Sequence, residues 1–126
     1  MPSLCLALGA AVVALGVDTA DLRWTHSVQK TEWRETWRAT VEGLQLEQAA
    51  VQGSGAGMDP GPDAVLRDGF WVWRPKLPSQ PELVLTRSPF TRGDWAVCPA
   101  TEHCRSLGSY FPGIADDQAV TLKPCP

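Results

Sequence analysis

An all-β fold, a small antiparallel β-sandwich or partly open barrel built from hairpins and a meander, is what three features of the sequence predict. Apolar and polar residues alternate over residues 22–28 and 33–41, the pattern of strands with one buried face. Turn signals recur along the chain, among them Gly9-Ala10, Glu42-Gly43 and Asp68-Gly69, at the spacing of roughly 8–12 residues typical of sandwiches and barrels. No long stretch keeps a helical apolar period, so helix is expected to be a minor component. A chain of 126 residues suits one core, and residues 1–126 read as a single β domain.

The elements follow in order. Residues 4–17 are apolar throughout, shorter than the roughly 20 residues of a spanning helix and with no Lys or Arg ahead of them, as a signal peptide would have. They read as a buried hairpin, strands 3–8 and 11–17 divided at Gly9-Ala10, with both faces covered. Strand 22–28 puts Leu22, Trp24, His26 and Val28 on one face. Strand 33–41 groups Trp33, Glu35, Trp37, Ala39 and Val41, leaving Arg34, Thr36, Arg38 and Thr40 on the other face.

A four-residue loop at 29–32 sets His26 opposite Glu35 and Trp24 opposite Trp37. A tighter loop at Gln29-Lys30 sets His26 against Trp33 and Trp24 against Glu35. Parity holds in both, so His26 and Glu35 share a face as direct or diagonal neighbours. Glu42-Gly43 is read as a two-residue turn into strand 44–52. The pattern of that strand slips from Leu44 and Leu46 to Ala49 and Val51, which predicts a bulge near Gln48. Residues 53–62 form the longest loop. Strands 64–67 and 70–74 flank Asp68-Gly69, prolines 75, 78 and 81 mark an extended connector, and strands 83–87, 95–98 and 119–123 complete the chain.

Net charge of −3 gives no electrostatic footprint for nucleic acid or an anionic membrane. The four cysteines allow three pairings. Cys98 with Cys104 across a hairpin loop, and Cys5 with Cys125 tying the first strand to the last, are the natural ones, against four reduced apolar side chains. The lack of a credible signal peptide favours the cytoplasm, whereas paired cysteines favour the periplasm.

The candidate binding residues lie in three groups. His26 and Glu35, with Trp24 and Trp37 on the same wall, form either an acid-base or ligand-binding dyad or a closed polar pair in the core. Ser27 faces away from His26, so no nucleophilic triad assembles. Ser54, Gly55 and Gly57 lie in a glycine-rich run that can present successive N–H groups to an anion, without the features of a P-loop or dinucleotide fingerprint. Arg87 is a candidate for holding a carboxylate. Arg23, Arg34 and Arg38 share the outer face, as a stripe for an acidic partner or as an ordinary solvated surface. Cys98, His103 and Cys104 do not have zinc spacing, and neither metal nor cofactor is indicated. The six tryptophans either fill a small core or line an aromatic pocket for a sugar, a cation or an organic acid.

The segment Arg23-Trp24-Thr25-His26-Ser27-Val28, the run Glu32-Trp33-Arg34-Glu35-Thr36-Trp37-Arg38, Gly53-Ser54-Gly55-Ala56-Gly57-Met58, Pro81-Glu82-Leu83-Val84-Leu85 with Arg87-Ser88, and Leu122-Lys123-Pro124-Cys125-Pro126 together resemble the small prokaryotic family catalogued as domain of unknown function eighteen-fifty. The resemblance implies no reaction. It implies a partner system, because members are often encoded beside TRAP transporters of the TAXI class, tripartite solute importers with periplasmic binding proteins. The leading expectation is a noncatalytic binding or accessory module that meets transporter components or a small organic-acid ligand. The alternatives are a small hydrolase or isomerase using His26 and Glu35, and a structural domain held by disulfides.

Overall fold

In a computed structural model the protein is described at residues 2–26, 31–52, 63–86, 91–115 and 118–126, with the side chains at 26 and 91–94 outside that set. The strands are β1 (Leu4–Leu8), β2 (Ala11–Ala14), β3 (Thr19–His26), β4 (Glu32–Thr40), β5 (Gly43–Gln52), β6 (Val65–Arg67), β7 (Phe70–Trp73), β8 (Leu83–Leu85), β9 (Thr91–Pro99), β10 (Arg105–Ser106) and β11 (Val120–Pro124); one short helix, α1, spans Leu107–Tyr110. They build two antiparallel sheets, a four-stranded one in the order β2-β1-β11-β8 and a seven-stranded one in the order β10-β9-β3-β4-β5-β7-β6. The sheets do not close into a barrel, so of the two expected architectures the sandwich is the one formed. As the expected Cys5–Cys125 link required, the first strand pairs with the last, with Leu6 opposite Leu122.

The core is the contact between the sheets. Ala20, Leu22, Trp37, Ala39, Leu44, Leu46 and Val97 of the large sheet pack with Leu4, Leu6, Leu85, Val120 and Leu122 of the small one, and Leu107 and Phe111 close one end. Fully buried leucines each contribute roughly 1.5–3 kcal/mol through apolar area removed from water. Strand β5 serves both ends of this face because it bulges: Thr36 pairs with Gln48 and Trp37 with Leu46, leaving Glu47 as the extra residue. The bulge moves the inward positions from Leu44 and Leu46 to Ala49 and Val51, and all four are buried. This is the parity slip read from the sequence.

Several local expectations need correction. The N-terminal hairpin is not covered on both faces: β1 is buried, but β2 lies at the sheet edge and Val12 is 50% exposed. The β4–β5 turn is Val41-Glu42, and Gly43 already belongs to β5. Glycine is needed there for another reason. Gly43 has φ 129°, and a Cβ would lie 2.4 Å from the carbonyl oxygen of Gln80, where the connector crosses β5 and exchanges backbone hydrogen bonds with Leu44. Strand β10 and helix α1 were not anticipated, being too short to show a period. The Asp68-Gly69 turn is as expected, with φ of 52° and 83°, the two positive values of a type I′ hairpin.

Both expected disulfides are present. Cys5–Cys125 joins β1 to the residue after β11 across a separation of 120 residues, and Cys98–Cys104 joins β9 to the residue before β10 across 6. Replacing Cys5 and Cys125 together by alanine is expected to lower stability by roughly 5 kcal/mol, against roughly 2 kcal/mol for Cys98 and Cys104, because loop-closure entropy grows with loop length. Urea unfolding of the two double variants measures the difference. Gly43→Ala is expected to destabilise by about 2 kcal/mol or more, since it adds both a positive-φ penalty and a clash with backbone. Gly9→Asn is the control, because its φ of 59° is similarly left-handed but nothing lies within 4 Å of the added Cβ.

Candidate functional site

The register between β3 and β4 decides how the candidate residues meet. Trp24 pairs with Trp33, Leu22 with Glu35 and Ala20 with Trp37, a register displaced by two residues from the nearer of the two arrangements expected from the sequence. Parity is retained and register is not. Glu35 is flanked by Leu22 on β3 and Ala49 on β5. His26 lies four residues beyond Leu22, about 13 Å along the strand, where its backbone pairs with Thr91 of β9. The cross-strand His26–Glu35 pair is therefore not formed as neighbours, and the His26 side chain is outside the described residues. The aromatic contacts supply the reason. Trp24 and Trp33 stack with centroids 6.0 Å apart and planes within 13°, and Trp24 also meets Trp95 of β9 at 4.7 Å. An aromatic cross-strand pair stabilises the register that forms it, and the expected placement of Trp24 opposite Glu35 would forgo this one.

These rings belong to a row across the inner face of the large sheet. From β9 to β6 it runs Trp95, Trp24, Trp33, Val51, Trp71 and Leu66, with the next row holding Val97, Leu22, Glu35, Ala49 and Trp73. Trp37 is a core residue, 3% exposed. Trp24, Trp33, Trp71 and Trp73 share its face and are half-buried, yet they are neither in the core cluster nor packed against it. Trp95 marks the boundary: it packs against the core, and its Nε1 donates to the carbonyl oxygen of Thr86, just after β8, at 3.1 Å. The small sheet thus covers one half of the inner face, and indoles carpet the other.

Glu35 sits at the seam. Its Oε1 accepts a hydrogen bond from Trp37 Nε1 at 3.2 Å, and among the described residues no cation pairs with it. Burial pushes its pKa above the ordinary glutamate value, and the Trp37 hydrogen bond opposes that shift only in part. A carboxylate in such a place is under-compensated, because desolvation penalises its charge and one neutral donor restores little of the lost hydration. With Trp33 and Trp37 two residues away on either side along the same strand face, it can stabilise a positively charged group.

The outer face carries the arginines expected as a stripe, and each is paired. Arg23 Nη2 bonds Asp21 Oδ2 at 3.2 Å, Arg34 pairs with Glu32, and Arg38 with Glu47. Asp21 also accepts from Thr36 Oγ1 at 2.7 Å. This is the ordinary solvated face with charge pairs. Beside it lies a cleft that the sequence does not announce, lined by Arg34, Ala50, Arg67, Asp68 and Phe70 among others; in the sequence Asp68-Gly69 shows only as a turn.

Ser54, Gly55, Gly57 and Arg87 lie outside the described residues. Cys98 and Cys104 are consumed in a disulfide, and among the described residues no three His, Cys, Asp or Glu side chains gather as metal ligands would. No helix among those residues is long and apolar enough to cross a membrane.

No curated protein and no solved structure matches the chain. The family model described as domain of unknown function (DUF1850) matches residues 20–107, a stretch that runs from the second residue of β3 to the first of α1 and holds nearly all of the large sheet together with β8. Covering well over half of the sequence and containing the tryptophan rows and Glu35, that match shows that the chain belongs to the DUF1850 family.

Proposed function

We propose that the protein is a noncatalytic binding module that takes a small organic cation on the indole-covered half of its large sheet, beside Glu35. The observation that carries this reading is the Glu35 carboxylate itself, held at the edge of the core with one neutral hydrogen-bond donor among the described residues and with tryptophans on its own strand, on β3 and on β7 of the same face. A cationic ligand would supply a countercharge while its apolar surface met the rings. An organic acid, the ligand class considered from the sequence, would be repelled at this position.

The separation of His26 from Glu35 along β3 weighs against an acid-base pair and so against the hydrolase or isomerase alternative. An accessory role beside a TAXI-class TRAP transporter extends the proposal, on the family resemblance alone. Two disulfides fit an oxidising compartment, and the proposal places the protein in the periplasm, where solute-binding components of such systems work.

Choline serves as the probe, with its uncharged carbon isostere as the control. Choline is expected to quench tryptophan fluorescence saturably and the isostere to bind at least roughly tenfold more weakly, a difference of the size found for a desolvated cation–π and charge contact. Equal affinity for the two compounds, or no saturable response to choline, would overturn the reading. Glu35→Gln is expected to lose that preference for choline.

The same variant is expected to be as stable as the parent or more stable at neutral pH. The folded-state pKa of Glu35 is raised, so its ionised form opposes folding above that pKa, and the penalty is relieved as the pH falls through it toward the ordinary glutamate value. Urea unfolding of parent and variant at neutral and acidic pH checks the sign.

A further inference from the structure

The outer face of the large sheet holds a second recess, separated from Glu35 by the sheet itself. On that face Arg34, Ala50, Val72 and Val65 form one cross-strand row, and Glu32, Gln52, Phe70 and Arg67 the next. Alanine at position 50 leaves a gap in the first row, and the gap is an open cleft of about 170 Å³. That is comparable to the cavity of roughly 150 Å³ that accommodates benzene, so the space suits a ligand of about six non-hydrogen atoms. A neighbouring cleft of about 240 Å³ shares Gln48, Arg67 and Val72 with it, which gives a longer substituent somewhere to go.

The polar groups around this gap are not equivalent. Asp21 is already engaged by Arg23 and Thr36. Arg34 is fixed rather than mobile: its Nε is held by Glu32, and its guanidinium carbon lies 4.1 Å from the centroid of Phe70. That leaves the two Nη groups as the donors of a pre-set fork, the geometry that matches a carboxylate. Arg67 and Asp68 line the same cleft, and among the described residues neither makes an ion pair. Adjacent in a type I′ turn, they offer an unpaired cation and an unpaired anion at one rim. The floor between them is apolar, formed by Ala50, Val72 and Phe70.

We propose that this cleft binds a free α-amino acid. Its carboxylate lies between Arg34 and Arg67, its ammonium faces Asp68, and its side chain rests over Ala50 and Val72. A simple carboxylate would leave Asp68 uncompensated and a simple amine would leave Arg67 so, whereas a zwitterion answers both signs of charge in one cleft. The inference does not rest on the Glu35 site: residues 34 and 35 point to opposite faces of β4, and either site can fail without the other.

L-Alanine, propionate and ethylamine are the probes, followed by amide chemical shifts of the intact, oxidised protein. L-Alanine is expected to shift the resonances of Ala50 and Val72 saturably, with propionate and ethylamine each binding at least roughly tenfold more weakly. Asp68→Asn, which tolerates the left-handed backbone at φ 52°, is expected to abolish the preference for L-alanine over propionate. Arg67→Gln, at an exposed position, is expected to weaken L-alanine and propionate together. Ala50→Leu fills the gap and is expected to remove the response while distant amides keep their positions. Absence of a saturable L-alanine shift, propionate binding as tightly as L-alanine, or an unchanged preference in Asp68→Asn overturns the proposal.

Discussion

The inner face of the large sheet is wider than the small sheet that packs on it, and the placement of the large side chains follows from that mismatch. Where two sheets oppose each other at about 10 Å, aliphatic side chains interdigitate and fill the space, and here leucines and valines do so. Beyond the edge of the smaller sheet the described residues supply no second layer, and there the same face removes apolar area from water by lateral contact. Indoles suit that task because each carries roughly 150–250 Å² and can lie against a neighbour across the strands. The stacking of Trp24 on Trp33 and its contact with Trp95 are this solution in place. Glu35 falls where one regime gives way to the other, which is why it is buried enough to be perturbed yet has no partner of opposite charge among the described residues.

The single extra residue in β5 ties both recesses to the same backbone event. Without Glu47 in the bulge, Ala49 and Val51 would turn outward and Gln48 and Ala50 inward. The indole rows would lose the small residues between Glu35 and Trp73, and the outer face would lose the alanine that leaves its cleft. One insertion in the ladder thus sets the floor of the inner carpet and of the outer recess together.

Faces were legible in the sequence and registers were not. Alternation alone groups Trp24, Glu35 and Trp37, and the slip in β5 announces its bulge, because parity is a property of each strand taken separately. Register depends on the turn between strands and on which side chains meet across it. Nothing in Gln29-Lys30 says that Trp24 will choose Trp33 over Trp37 or Glu35. The arginine pairs were partly readable: Asp21 and Arg23, like Glu32 and Arg34, stand two apart on one strand and therefore on one face. The Arg38–Glu47 pair depends on the bulge and was not. Gly43 looked like turn chemistry and proves to be a clearance for Gln80, a contact between segments far apart in sequence.

The pairing of β1 with β11 has a consequence for how the molecule comes to be assembled. The strands of the large sheet are drawn from a middle stretch that only β8 interrupts, whereas the small sheet pairs β1 with β11, which lie far apart in the chain. During synthesis the hairpin of β1 and β2 must wait, with the other edge of β1 open, until β11 has been made. Contacts of such long sequence separation form late and slowly, since the ends must first be brought together. The large sheet can assemble its meander while its leucine face still lacks a cover, which makes the time between that step and the arrival of β11 the interval in which the protein is most exposed to aggregation.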